Sequence, residues 1–309
     1  MRTVTVGTRR SELAVIQTQW VMDRLKEHLP DQWELKQEKI VTRGDQILNV
    51  TLSKVGGKGL FVKEIEQALL DGRIDLAVHS MKDMPADMPE GLVMGAVTER
   101  ESPWDCLVSR EGKTLDELPE KARVGTSSLR RQAQVLARRP DLQVEPVRGN
   151  LNTRYKKLMD GQFDAIVLAY AGIQRMGWQD KVTEVLPEDV MLPSVGQGAL
   201  AIQCRADDKE ILDVLQSIND PGVERTVTAE RAFLHAFDGG CHLPIAGFAT
   251  LEENQVRLRG LVAHPTGTQV IEGEGQHEDA TVCGQYLAND LMKKGAGKLL
   301  DEVRDEAEQ

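Results

Sequence analysis

One pattern limits the fold of this chain more than any other: short strand-like runs, each followed by a capped amphipathic helix, met from Thr3 and met again from Arg123. Residues 3–8 alternate as a strand, and Ser11 then opens a helix to about His28, with Leu13, Ile16, Trp20 and Leu25 spaced for one buried face. A strand near 35–41, a helix over 62–71 closed by Gly72, and an apolar run over 74–78 follow. That last run delivers His79, Ser80, Lys82 and Asp83 at its end. A polar, proline-containing stretch near 99–119 reads as a connection, after which the alternation restarts. Residues 123–125 read as a strand, Thr126-Ser127-Ser128 as a helix cap, and 129–139 as a helix stopped by Pro140. Strands at 144–147 and 164–169 each lead into a further helix. Such alternation predicts parallel, doubly wound sheets with ligands beyond the carboxyl ends of the strands, and two units in series predict a cleft between them. From about Gly247 the pattern changes to alternating runs with turn signals at Glu253-Asn254 and Pro265-Thr266-Gly267, then helices, as in a smaller α+β unit with an antiparallel meander.

A length of 309 residues accommodates two or three such units. No segment approaches the roughly 18 uninterrupted apolar residues of a membrane span, and MRTVTVGTRR has no secretory apolar stretch, so the expected location is the cytoplasm. Cys106, Cys204, Cys241 and Cys283 lie far apart without a C-x-x-C pair, which argues against a zinc cluster and against a disulfide framework. Net charge is −11, yet residues 124–157 carry an excess of six positive charges. Arg138 and Arg139 read as a solvated helix face. Arg130, Arg131, Arg148 and Arg154 instead sit beside glycine-rich or Ser/Thr-rich turns, where backbone donors share an anion. Nucleic acid would call for a broader basic face with interleaved aromatics, and aromatic residues are only 4% of the chain. A compact small molecule with several negative charges fits better.

Few motifs carry chemistry. LSKVGGKGLF (52–61) lacks the order of a nucleotide P-loop, and reads either as a lid bringing Lys54 and Lys58 over an anion or as a plain surface loop. GQGALA (196–201) matches a loose dinucleotide fingerprint, but Pro193 precedes it and a strand-like run follows, where that fingerprint needs a helix. H-E-x-x-H and G-x-S-x-G are absent. In DGGCHLPIAG (238–247) a glycine pair presents one thiol on a bared loop, which makes Cys241 a candidate nucleophile, with a core cysteine as the alternative. Asp83 is a carboxylate at a strand end, or a turn residue before Met-Pro.

Six runs carry a family likeness: VHSMKDMP (78–85), VGTSSLRRQAQV (124–135), VRGNLNTR (147–154), DAIVLAYAGIQRMG (164–177), LPSVGQGALAIQCR (192–205) and GGCHLPIAG (239–247). In order, and over essentially the whole chain, they resemble the porphobilinogen deaminase family, also called hydroxymethylbilane synthases. The resemblance implies an α/β fold of two periplasmic-binding-protein-like (type II) doubly wound domains plus a smaller α+β C-terminal domain. Domain 1 would combine 1–98 with a returning segment 193–217, domain 2 would span 99–192, and domain 3 would span 218–309. It also implies a dipyrromethane cofactor, made of two porphobilinogen units and held on Cys241 by a thioether, so that the thiol is an anchor and not a turnover nucleophile.

The implied reaction joins four porphobilinogens head to tail onto that primer. Each addition loses one ammonia to leave an azafulvene electrophile, which the free α-carbon of the growing chain attacks; hydrolysis then releases hydroxymethylbilane. Asp83 would stabilise positive charge at pyrrole nitrogen and help move protons. Every pyrrole brings an acetate and a propionate, which guanidinium groups suit. By motif position the likeness assigns this binding to Arg9, Ser11, Lys82, Thr126, Ser128, Arg130, Arg131, Arg148, Gly149, Arg154 and Arg175, with Lys54 and Lys58 on the lid and Ser80 and Gln197 as further contacts. It implies no metal, no nucleic acid or membrane partner, and a monomer. His242 and Tyr170 depart from the family pattern, at positions where glutamine and a small residue are common. The rival readings are a non-catalytic binding module of the same fold and a dinucleotide-dependent oxidoreductase.

Overall fold

The computed structural model describes residues 2–42, 44, 62–85, 87–238 and 243–308. The chain separates into two compact units: among the described residues one comprises 2–42, 44, 62–85, 87–101 and 199–224, and the other 102–198, 225–238 and 243–308.

The first unit is built on a five-stranded sheet of β1 (Arg2–Arg9), β2 (Trp33–Ile40), β3 (Leu76–Ser80), β4 (Leu92–Val97) and β10 (Leu200–Arg205), in the order β2-β1-β3-β10-β4. β1 runs parallel to β2 and β3, whereas β10 is antiparallel to both β3 and β4. Helices cover both faces. Glu12–Lys26 and Lys209–Leu215 bury Val21, Met22, Leu25, Ile211 and Leu215 against Val4, Val6, Val78 and Ile202 on one face. Lys63–Leu70 buries Ile65, Ala68 and Leu69 against Ile40, Ile74 and Ala77 on the other. The alternation of Ala77 and Val78 between the two clusters follows from the period of two along a strand. Sequence patterning locates β1, β2 and the helix after β1 to within about two residues, the usual uncertainty of element ends.

The second unit repeats the scheme with β5 (Asp105–Ser109), β6 (Arg123–Gly125), β7 (Gln143–Glu145), β8 (Ala165–Ala169) and β9 (Glu184–Leu186), ordered β7-β6-β8-β5-β9. β6 is parallel to β7 and β8, and β5 is antiparallel to β8 and β9. Helix Leu129–Arg138 covers one face through Val135, and helices Leu151–Met159 and Tyr170–Arg175 cover the other through Leu158 and Ile173. The stretch 99–119, read above as a connection, in fact contains β5. Its residues alternate between the two cores, Leu107 in one and Cys106 and Val108 in the other, so a strand buried on both faces reads as a plain apolar run.

The same unit contains an antiparallel three-stranded sheet, β11 (Ile245–Glu252), β12 (Gln255–Ala263) and β13 (Val270–His277). Helices Pro221–His235, Ala280–Lys293 and Ala296–Glu308 contribute Phe233, Leu287, Leu291 and Leu299 to its core. The fold is thus two doubly wound α/β sheets plus a smaller α+β part. Among the described residues no helix is long and apolar enough to cross a membrane.

Candidate functional site

In the first unit the parallel pairing of β1 and β3 brings their carboxyl ends to one edge of the sheet. Arg9 ends β1, and Ser11 caps the following helix by accepting from Ala14 N at 3.4 Å. Ser80 ends β3 and accepts a hydrogen bond from Gln17 Nε2 at 3.1 Å. The next residues form a 3₁₀ turn, Met81–Asp83, closed by Met84 N donating to Met81 O at 3.1 Å. Met81 and Met84 are buried at 1% and 6% exposure, so the turn is anchored at both ends while Lys82 and Asp83 remain half-buried between them. This is why a Met-x-x-Met spacing places a cation and a carboxylate side by side at a strand end.

A buried polar chain supports that edge. Gln203 on β10 donates its amide N–H to Glu66 Oε1 at 3.1 Å and so turns its own oxygen to His79, 3.1 Å from Nε2, which fixes the ring proton there. Burial pulls the His79 imidazole down to about 4, against the hydrogen bond to Gln203, and the Arg9 charge lowers it further. The unfolded chain therefore binds a proton that the folded chain refuses between the ordinary value of 6.5 and about 4. Stability from this group is complete above the upper value and is lost as pH falls through the window. On the order of 2 kcal/mol should disappear between pH 7 and pH 5 in urea titrations. In His79→Gln most of that slope should vanish; equal slopes in the two proteins would exclude His79 as its source.

In the second unit the carboxyl ends of β6, β7 and β8 likewise share an edge, and most of the sequence-derived binding residues fall on it. Thr126 follows β6 and is buried, with its hydroxyl accepting from Ser128 N at 3.2 Å. Ser128 caps Leu129–Arg138, and Asn150 caps Leu151–Met159 by accepting from Thr153 N at 2.9 Å. Between β7 and that second cap lie Arg148, whose pKa burial lowers, and Gly149 at φ +108. A Cβ at Gly149 would stand 2.5 Å from Thr153 Cγ2, so this turn requires glycine. Arg154 Nε donates to Gly149 O at 2.9 Å and Arg175 Nη2 to Gly198 O at 2.8 Å. Arg148, Arg154 and Arg175 are all half-buried. Tyr170 opens its helix and packs against the core that contains Leu158 and Ile173.

Arg130, Arg131 and Gln197 sit differently from the rest: they are 4%, 6% and 1% exposed and converge on Asp105, which is fully buried. Arg130 Nη1 donates to Asp105 Oδ2 at 2.6 Å and to Leu192 O at 2.8 Å. Arg131 donates to Oδ1 from Nε at 3.0 Å and from Nη2 at 2.8 Å, and its Nη1 bonds Val167 O at 3.1 Å. Gln197 Nε2 donates to Asp105 Oδ1 at 2.9 Å and to Pro103 O at 2.7 Å. Burial works to raise the Asp105 carboxyl, but the charges of Arg130 and Arg131 and the bonds from Arg130 and Gln197 outweigh it and hold it well below the carboxylate range. Asp105 is the residue that sequence reading missed; its only local signal is an acidic residue opening an apolar run.

The reading of Arg138 as solvated holds, since it is exposed and pairs with Asp116 at 2.6 Å. Arg139 does not fit it: half-buried, it bonds Leu115 O at 2.7 Å and Leu118 O at 2.8 Å and ties down the 115–118 segment. GQGALA leads into strand β10 and opens no helix, so it has no dinucleotide-binding geometry. Lys54, Lys58, Cys241 and His242 lie outside the described residues. The three described cysteines are all buried; desolvation pushes Cys106 up to about 12 and Cys204 up to about 11, and also raises Cys283, so these remain thiols. Among the described residues no group of three or more His, Cys, Asp or Glu side chains is placed to hold a metal ion. What the two edges offer is cations, hydroxyls and backbone donors for carboxylates, together with one half-buried carboxylate, Asp83.

Comparison with known proteins gives one answer along the chain. The family model described as "Porphobilinogen deaminase, dipyromethane cofactor binding domain" matches residues 4–213, and "Porphobilinogen deaminase, C-terminal domain" matches 225–293. A porphobilinogen deaminase of Brevibacillus brevis is 53% identical over 305 residues, covering 98% of both chains. One from Halalkalibacterium halodurans is 54% identical over 307 residues with the same coverage. Among solved structures, the periplasmic aliphatic sulphonate binding protein of Escherichia coli is similar at a TM-score of 0.42 and 14% identity, covering 76% of this chain and 70% of that one.

Proposed function

The chain belongs to the porphobilinogen deaminase family and carries its dipyrromethane-cofactor domain, and from that premise we propose that it condenses four porphobilinogens in sequence and releases hydroxymethylbilane by hydrolysis. The observation that carries the reading is the match of both family models, over residues 4–213 and 225–293, the first of them a cofactor-binding domain. The enzyme is a transferase of tetrapyrrole (haem) biosynthesis, acting in the cytoplasm as a monomer. Three parts would share the work: 1–98 with 193–217, 99–192, and 218–309.

The donor set fits the group this family binds. Each dipyrromethane ring bears two carboxylates, and Arg148, Arg154 and Arg175 with the capped turns at Ser128 and Asn150 form a wall suited to several anions. When bound, the dipyrromethane supplies the two-ring primer whose terminal α-carbon is extended. Cys241 anchors it by a thioether. Arg9, Ser11, Lys82, Thr126, Ser128, Arg130, Arg131, Arg148, Gly149, Arg154 and Arg175 bind and orient acetate and propionate groups, with Ser80 and Gln197 assisting and Lys54 and Lys58 closing over them. Asp83 accepts pyrrole N–H groups at its Oδ atoms, favours positive charge on those nitrogens in the transition state, and holds the proton in transit.

Incubation of the purified protein with porphobilinogen tests the reading. The expected result is a linear tetrapyrrole, with four ammonia released for each product molecule. Porphobilinogen left unconsumed by adduct-bearing protein would overturn it.

A further inference from the structure

Two positive side chains buried beside one carboxylate need an explanation beyond binding. We infer that Asp105 is a positioning residue for the proposed anion site: it holds Arg130, Arg131 and Gln197 in the one arrangement in which they meet the carboxylates of the cofactor and substrate. The inference rests on the reading that these three residues serve that ligand.

Topology puts Asp105 in position to do this. β5 runs antiparallel to β8, with Asp105 opposite Ala169, so the first residue of β5 lies at the edge where β8 ends and where the loops after β6 and β7 emerge. A central strand thereby delivers a carboxylate beneath the anion-binding turns without belonging to any of them. The first turn of Leu129–Arg138 aims Arg130 and Arg131 back toward it.

The chemistry of the contacts is specific. Each carboxylate oxygen is used, Oδ2 by Arg130 and Oδ1 by Arg131 and Gln197, and Oδ1 takes Arg131 through both Nε and Nη2, which sets the plane of that guanidinium. Val167 O takes the remaining Nη1 of Arg131, and Leu192 O takes the same Nη1 of Arg130 that donates to Asp105. A guanidinium has five N–H groups, more than these bonds engage in Arg131, so an oriented edge remains for a ligand. Asp105 balances one of the two positive charges and leaves the other. That residual charge attracts a carboxylate without the cost of burying two unpaired cations. A purely electrostatic account makes the opposite prediction, because removing the Asp105 charge raises the positive charge of the site and would strengthen anion binding.

Asp105→Asn and Asp105→Glu, purified beside the unaltered chain, test this. Intact mass gives the fraction of chains carrying the cofactor, and KM for porphobilinogen and kcat are taken per adduct-bearing molecule, well below each melting temperature. D105E keeps the charge and shifts it by one methylene, so it decides the matter where D105N does not fold. The expected order of both loading and affinity is unaltered, D105E, D105N. D105N should show at least about a threefold fall in loading and about a tenfold rise in KM. Loading and KM within twofold of the unaltered chain in whichever variant folds would overturn the inference, whatever the melting temperature does. Arg131→Gln keeps the two levels apart. If it too leaves loading and KM unchanged, the assignment of the arginine to the ligand fails; if it impairs both while the Asp105 variants do not, only the role of Asp105 fails.

Discussion

Replacing Cys241 by serine is expected to return the purified protein to the mass of its bare polypeptide and to lower turnover at least about a thousandfold. A thioether to a pyrrole-bearing carbon needs a sulfur nucleophile once, during assembly, and a serine hydroxyl is far less nucleophilic at neutral pH. The other cysteines do not substitute for it: Cys106, Cys204 and Cys283 are buried and their thiols are pushed further from ionisation. Because the exchange replaces one small side chain by another, circular dichroism should change little, while melting should fall by what the bound primer contributes. The loss of mass and the loss of activity then belong to the anchor and not to misfolding. An undiminished adduct in Cys241→Ser would place the attachment on a different side chain.

How much of this was legible in the sequence depends on how local each signal is. The helix after β1 announces itself by the Ser11 cap and its periodic apolar face, and the caps at Ser128 and Asn150 lie within three residues of the N–H groups they satisfy. These are short-range bonds, and sequence patterns record them. β5 has no such mark. It is five residues of a strand buried on both faces, it sits among prolines and charges, and its partners β8 and β9 lie more than fifty residues away. The β10 run does read as strand-like, but no local signal records its place in the first sheet between β3 and β4, over a hundred residues from either. The site divides in the same way. Arg148 and Gly149 stand out beside a cap, and the cationic excess over 124–157 points to an anion. That Arg130 and Arg131 are buried follows only from Asp105, 25 and 26 residues earlier on a different strand. His79 gives no hint of its neutral, buried state without Gln203 and Glu66.

Asp83→Ala should leave cofactor loading and melting nearly unchanged and lower kcat by two to four orders of magnitude, corresponding to about 3 to 5 kcal/mol of transition-state stabilisation. The fold tolerates the change because Met81 and Met84 carry the burial of this turn, whereas Asp83 between them is half-buried. In the role proposed for Asp83 the reaction does not tolerate it, because every addition passes through positive charge on pyrrole nitrogen, and a preorganised carboxylate at that nitrogen is worth most where charge develops. Asp83→Asn adds a second constraint. The amide keeps the shape and one acceptor oxygen but neither the charge nor the basicity, so it should be nearly as slow as Ala. KM should move less than kcat in both variants, since the proposed roles give the substrate carboxylates to other residues. A slow Ala variant with a fast Asn variant would reduce Asp83 to a hydrogen-bond acceptor, and near-normal kcat in both would remove it from the chemistry. Loading provides the internal control: under the proposed roles the anchor on Cys241 and the arginines hold the primer without Asp83, which serves only to extend it.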